Sequence, residues 1–205
     1  MLETINLECT RGDRPLVSDL SFELARGELL HVVGSNGSGK TTLLRTLCGL
    51  SRPSTGEIRF NGASIAALSD EYHKYLAYVG HSDGLQGELT AEENLRAIAG
   101  LSGSEGRANT VHGALERVGL LGSADLPAKI LSQGQKRRLA LARLPLLART
   151  LWILDEPFSA LDMPSVHTFE GLLVEHLEAD GMVVIASHQK HTWRAKAVHR
   201  ISLDT

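Results

Sequence analysis

Long hydrophobic runs are missing from this chain. Its strongest apolar stretch, Leu139 to Ala148, is broken by Arg143 and Pro145, short of the ~18 apolar residues that a bilayer-crossing helix needs. Any work at a membrane therefore calls for spans supplied by other chains. Cysteine is scarce: Cys9 and Cys48 are the only two, without C-x-x-C spacing. That argues against a disulfide framework and fits buried thiols in a reducing cytoplasm. No basic excess exists, since the formal net charge is −3, so no nucleic-acid partner is expected. The short cluster Lys136-Arg137-Arg138 reads as a solvated helix face. Glu3 and Glu8, with no apolar segment beside them, do not resemble a signal peptide. Linkers, repeats and low-complexity segments are absent, so residues 1–205 read as one domain, with 42% hydrophobic and 22% charged residues as in ordinary globular proteins.

What is present centres on Gly34-Ser35-Asn36-Gly37-Ser38-Gly39-Lys40-Thr41-Thr42, a full match to the phosphate-loop pattern G-x-x-x-x-G-K-[ST]. Apolar Leu29-Leu30-His31-Val32-Val33 in front reads as a buried strand, and Thr41 to Leu47 behind reads as a helix. Between a strand and a helix, glycines let successive N–H groups turn inward on a polyphosphate, and the helix start adds partial positive charge. Lys40 is then placed for β and γ phosphates of ATP, and the Thr41 hydroxyl for a Mg²⁺ shell. A connecting Gly/Ser turn would explain neither Lys40 nor Thr41.

Before the loop, Ile5 to Cys9 and Leu20 to Leu24 alternate like strands around the turn Arg11-Gly12-Asp13-Arg14-Pro15. After it come expected strands over 57–62 and 76–80. Thr90 with Glu93 forms a capping-box pattern opening a helix through Leu101, and a second helix is expected from about Arg107 to Val118, capped by Gly119. With no strand expected between about Gly84 and Leu131, a helical lobe over roughly 84–145 reads as inserted into an α/β core. The core resumes with strand 151–155, a helix over about 164–179 and strand 182–187. Pro145 should kink or end the helix that contains it, because it removes the bond to the Leu141 carbonyl.

Leu151-Trp152-Ile153-Leu154-Asp155-Glu156 would carry Asp155 to the carboxyl edge of a sheet, next to a phosphate-bound metal, with Glu156 placed to polarise a water. Leu131-Ser132-Gln133-Gly134-Gln135 matches the LSGGQ signature of the ABC ATPases except at Gln133. The chain resembles that family, and the resemblance runs in order through Ser159-Ala160-Leu161-Asp162, similar to the D-loop, and His188, similar to the switch histidine. It implies an α/β P-loop NTPase of the ABC-ATPase fold, with an N-terminal antiparallel β subdomain and an inserted helical subdomain. It also implies a head-to-tail homodimer in which Ser132 and the amides of Gln133 and Gly134 face ATP held by the partner subunit. Two positions depart from the commonest pattern. Arg11 stands where an aromatic usually stacks on adenine, and is either a stacked guanidinium or a solvated arginine. His81 stands at the coupling glutamine, where imidazole can coordinate Mg²⁺ or accept from water.

The wording around these motifs narrows the resemblance. Gly80-His81, Leu89-Thr90-Ala91-Glu92-Glu93-Asn94-Leu95, Leu151 to Phe158, and Ser187-His188-Gln189 are similar to the CcmA family, the haem-exporter ATPases of cytochrome c maturation. That likeness implies an ATP-hydrolysing subunit at the cytoplasmic face of the bacterial inner membrane, held there by permease subunits of the CcmB and CcmC type. Other cargoes, and ABC ATPases outside transport, remain open at this point. Nine histidines do not make a haem site: His188 and His191 are the only close pair, and His31, His73, His112, His167, His176 and His199 read as strand or surface residues. Trp152 and Trp193 read as packing residues.

Overall fold

The computed structural model describes residues 1–12, 14–101, 108–188 and 192–204, and for 108–110 the backbone alone. Asp13, Arg107, Gln189 and His191, named above, lie outside the described residues. Contacts divide the chain into two units: Met1–Tyr78 with Thr150–Glu156 and Val174–Thr205, and Val79–Arg149 with Pro157–Leu173.

In chain order the elements are β1 (Leu2–Arg11), β2 (Arg14–Leu24), β3 (Leu29–Val33), α1 (Lys40–Leu47), β4 (Thr55–Phe60), β5 (Ala63–Ser64), the single turns α2 (Ile65–Leu68) and α3 (Asp70–His73), β6 (Leu76–Val79), α4 (Ala91–Leu101), α5 (Ala108–Arg117), α6 (Gln133–Leu147), β7 (Leu151–Asp155), α7 (Met163–Glu178), β8 (Met182–Ala186) and β9 (Val198–Ser202).

The first unit carries two sheets. One has the order β2-β1-β4-β5 and its pairings are antiparallel; the other has the order β6-β7-β8-β3-β9. β1 alternates buried Leu2, Thr4, Leu7 and Cys9 with more exposed neighbours, as a sheet solvated on one face requires. β7 and β8 are buried at every position and pair in parallel, as strands covered on both faces must be. An apolar cluster that includes Leu2, Leu30, Leu44, Phe60, Ile153 and Val184 packs within this unit. Cys9 and Cys48 lie within it as free thiols, pushed up in pKa by burial.

The second unit packs Leu95, Leu115, Leu139 and Ala142 of α4, α5 and α6 with Val118 and Leu131 into a separate cluster. Thr90 and Glu93 cap α4 reciprocally, the Glu93 N–H donating to Thr90 Oγ1 at 3.1 Å and the Thr90 N–H to Glu93 Oε2 at 2.8 Å. Gly119 ends α5 with φ +66°, and the Leu120 N–H reaches back to the Leu115 carbonyl.

The helix end expected near Pro145 falls two residues beyond it, α6 ending where Ala148 adopts φ 47°, and two other features differ from the sequence reading. β9 was not anticipated: Val198-His199-Arg200-Ile201-Ser202 has no apolar period, yet it completes the parallel sheet beside β3. Arg137 is not part of a solvated face; it is 2% exposed, because its guanidinium donates to the carbonyls of Pro157 and Gly80 and meets Asp83 Oδ1 at 3.2 Å.

Candidate nucleotide site

In the first unit, the parallel register puts Val32, Ala186 and Asp155 side by side, so β3, β8 and β7 end along one edge. Ligands of parallel α/β sheets gather at such carboxyl edges. From β3 the chain turns through Gly34–Gly39 and enters α1 without a side-chain cap, Gly39 standing at the N-cap with φ 105°. A Cβ on Gly39 would lie 2.8 Å from Leu16 Cβ, so only glycine lets the loop pass under β2. The first amides of α1 are thus left for an anion.

Lys40 is 7% exposed. Its ammonium donates to the loop carbonyls of Gly34 at 2.6 Å and Ser35 at 3.1 Å, and lies 4.0 Å from Glu156 Oε1. Ser38 Oγ is buried against Gly34 and has no hydrogen-bond partner. An orphan hydroxyl inside a turn of inward amides fits a phosphate oxygen.

Next to the loop, the Thr41 hydroxyl donates to Asp155 Oδ2 at 2.7 Å. Two hard oxygens at that separation, one of them anionic and 2% exposed, form a donor set suited to a Mg²⁺ ion. Glu156 follows with φ 48°, a left-handed conformation that costs a non-glycine residue of order 1 kcal/mol. Its N–H is tied to the Ala186 carbonyl at 2.9 Å, which holds the strained turn. The carboxylate accepts from the His188 ring Nδ1 at 2.9 Å and from the His188 N–H at 3.4 Å. A carboxylate oriented by an imidazole beside a phosphate loop can take a proton from water while the lysine faces developing charge.

Other residues singled out from the sequence fall elsewhere. Arg11 is exposed at the tip of β1, opposite Arg14, and Thr42 is half-buried in the first turn of α1. Asn36 and Gly37 form the exposed crest of the loop, with Gly37 at φ 86°.

The second unit holds the remainder. Leu131 is buried, and Ser132 starts α6 through a second reciprocal box, accepting from the Gln135 N–H at 3.2 Å while its own N–H reaches Gln135 Oε1 at 2.9 Å. Gln133 Nε2 reaches Asp83 Oδ2 at 3.4 Å. A Cβ on Gly134 would lie 2.9 Å from the Ala160 carbonyl, so the glycine lets the Ser159–Asp162 turn approach the helix start. Ala160 takes φ 61°, and Asp162 caps α7 by accepting from the Ser165 N–H; the Ser165 side chain first, and then that N–H, draw its carboxyl below the usual range. His81 is exposed after β6.

Two participants escaped the sequence. Asp204 accepts from the Ser35 N–H at 2.7 Å, and that bond lowers its carboxyl pKa. Arg137 bridges Gly80, Asp83 and Pro157. Asp204 follows Ile201-Ser202-Leu203 with no motif to mark it, and Arg137 lies in a basic triplet that looks uniformly solvated, so no pattern singles either out.

Residues 17–159 match the family model described as ABC transporter. The chain belongs to the ABC transporter family of ATP-binding proteins, and binds ATP. Among its curated relatives are proteins named cytochrome c biogenesis ATP-binding export protein CcmA. One from Dechloromonas aromatica is 49% identical over 99% of this chain and 100% of the relative. Another from Nitrosospira multiformis is 48% identical over 98% of each, and the Escherichia coli K12 protein is 44% identical over 99% of this chain and 96% of the relative. Among solved structures, a Pyrococcus furiosus protein titled as a putative ABC transporter ATP-binding protein superposes with TM-score 0.85 at 29% identity, covering 97% of this chain and 96% of that one. A dimeric ATP-binding cassette solved with ADP and Pi superposes with TM-score 0.81 at 26% identity, covering 92% of this chain and 88% of that one.

Proposed function

We propose that this chain is the ATP-hydrolysing subunit of a bacterial inner-membrane transporter serving cytochrome c biogenesis, with haem export as its task. One observation supports the hydrolytic reading above others: a single sheet edge carries the hydrogen-bonded pairs Thr41–Asp155 and Glu156–His188, with the Lys40 ammonium 4.0 Å from Glu156. The names of relatives that match nearly the whole chain support the cargo and the compartment. Among the described residues no helix is long and apolar enough to cross a membrane. Attachment through permease subunits of the CcmB and CcmC type, at the cytoplasmic face, is therefore part of the reading.

In this reading Gly34 to Thr42 cradle the phosphates of ATP, and Lys40 exchanges its two carbonyl partners for β and γ oxygens. Thr41 and Asp155 would hold a Mg²⁺ ion, which would neutralise charge at the phosphates, and the family likeness suggests His81 as a further donor. Glu156 takes a proton from the attacking water, and His188 fixes the carboxylate that does so. Arg11 lies at the base end of the nucleotide. The self-capped start of α6, Leu131 to Gln135, and the Ser159–Asp162 turn serve ATP on a second copy of the chain, so two copies pair head to tail. The domain reading is one cassette over 1–205 with a helical insert at about 84–145.

Replacing Glu156 by Gln should lower ATP turnover by ~100-fold or more while leaving ATP bound between paired chains, as removal of a general base predicts. An unchanged rate would take Glu156 out of this role. Deleting the gene should abolish c-type cytochromes; intact cytochromes with loss of another exported compound would reassign the cargo and leave the ATPase reading standing.

A further inference from the structure

His31 lies in the middle of β3 and is 8% exposed. Its Nε2 stands 3.1 Å from the Ser187 carbonyl, which can only accept, so the proton is on Nε2. The bare Nδ1 accepts from the Trp193 indole N–H at 3.4 Å, with the two rings edge to face at 5.4 Å. Ser187 is gripped on its other side as well, its N–H donating to the Val32 carbonyl at 3.3 Å. Ser187 immediately precedes His188, whose ring holds Glu156. A buried neutral imidazole with a fixed tautomer thus ties β3 to residues on both sides of His188. Neither leucine nor phenylalanine could satisfy the Ser187 carbonyl and the indole together.

We propose that His31 is a positioning residue for ATP hydrolysis: held in place by Trp193, it grips the carbonyl of Ser187, the residue next to His188, and so aims His188 at Glu156. The inference rests on the hydrolytic roles of Glu156 and His188 given above. His31 never touches the nucleotide, so its loss acts on turnover and not on ATP affinity.

The test is steady-state ATPase kinetics on the full chain, purified with whatever membrane subunits accompany it. His31→Leu should lower kcat ~10-fold with KM for ATP within twofold, and should slow a His188→Ala background no further, since both changes remove one coupled element. His31→Gln, whose amide can donate to the Ser187 carbonyl and accept from Trp193, should recover most of the rate. Trp193→Phe keeps the ring contact, removes the donor and should give an intermediate loss; it also serves where His31→Leu fails to fold. Proton-detected ¹⁵N-histidine spectra of the wild-type protein should show His31 as the Nε2–H tautomer. Full kcat in His31→Leu and Trp193→Phe, a loss confined to KM, or effects that add to those of His188→Ala would overturn the proposal. Full activity in the His188→Ala and Glu156→Gln controls would overturn the hydrolytic reading itself, and the two failures are thereby distinct.

Discussion

The phosphate-loop unit and the helical unit solve their polar ends in opposite ways. In the first, groups far apart in the chain satisfy one another: Thr41 with Asp155, Glu156 with His188, Ser35 with Asp204. In the second, the start of α6 closes on itself within four residues, Ser132 and Gln135 exchanging two hydrogen bonds. A site built from long-range bonds exists only when the whole sheet is formed. A capped helix start needs only its own turn, and it presents the same amides whether or not a second chain is near.

The sharpest way to test that contrast is Arg137, which gives the helical unit buried long-range polar bonds comparable to those of the sheet. Arg137→Ala strands the Gly80 and Pro157 carbonyls, takes the guanidinium from the Asp83 carboxylate and leaves it only the weaker bond from Gln133; it should cost about 3–5 kcal/mol, as removal of one partner from a buried charged network does. Urea unfolding gives the size, and hydrogen exchange should place the lost protection in 79–149 and 157–173. Uniform loss across both sheets would mean that the two regions stand or fall together.

A pH experiment addresses the phosphate-loop unit alone. Burial lowers the pKa of His176 from the ordinary histidine value of 6.5 to about 4, where its ring stacks on Trp152 at 3.8 Å. Above pH 6.5 both folded and unfolded forms are neutral at this ring and its contribution is complete. As pH falls from 6.5 towards 4 the unfolded chain takes up a proton that the folded chain refuses, so stability drops by on the order of 3 kcal/mol across that window. Urea midpoints at pH 7.5 and 4.5 should differ less in His176→Gln than in the wild type; equal differences would remove His176 as the cause.

The smallest effect belongs to the self-contained turn. Ser132→Ala removes one cap bond and should cost about 1 kcal/mol in urea unfolding. Under the paired-chain reading its effect on ATP turnover should exceed its effect on folding, and a purely structural cap would show the reverse.

Much of this molecule was readable residue by residue. The phosphate loop, the α4 capping box, the Gly119 stop and the buried β7 and β8 are local patterns, and each appears in the fold where its period or cap places it. The order of motifs was enough to indicate the family that the comparisons show. Some features lay beyond any local pattern. β9 is polar and becomes a strand only because β3 offers it an unpaired edge. Arg137 looks like its solvated neighbours until the fold sets two carbonyls and a carboxylate around it. His31, one apolar-flanked histidine among nine, acquires its partners only when β8 and Trp193 arrive beside β3.

The sequence by itself determined where the chain turns, caps and binds phosphate, because those depend on backbone freedom and on residues a few positions apart. Which side chains meet across the sheet edge was decided by tertiary structure alone. Parallel strands bring together residues more than a hundred positions apart, Thr41 with Asp155 and His31 with Ser187. No periodicity along the chain encodes such a meeting.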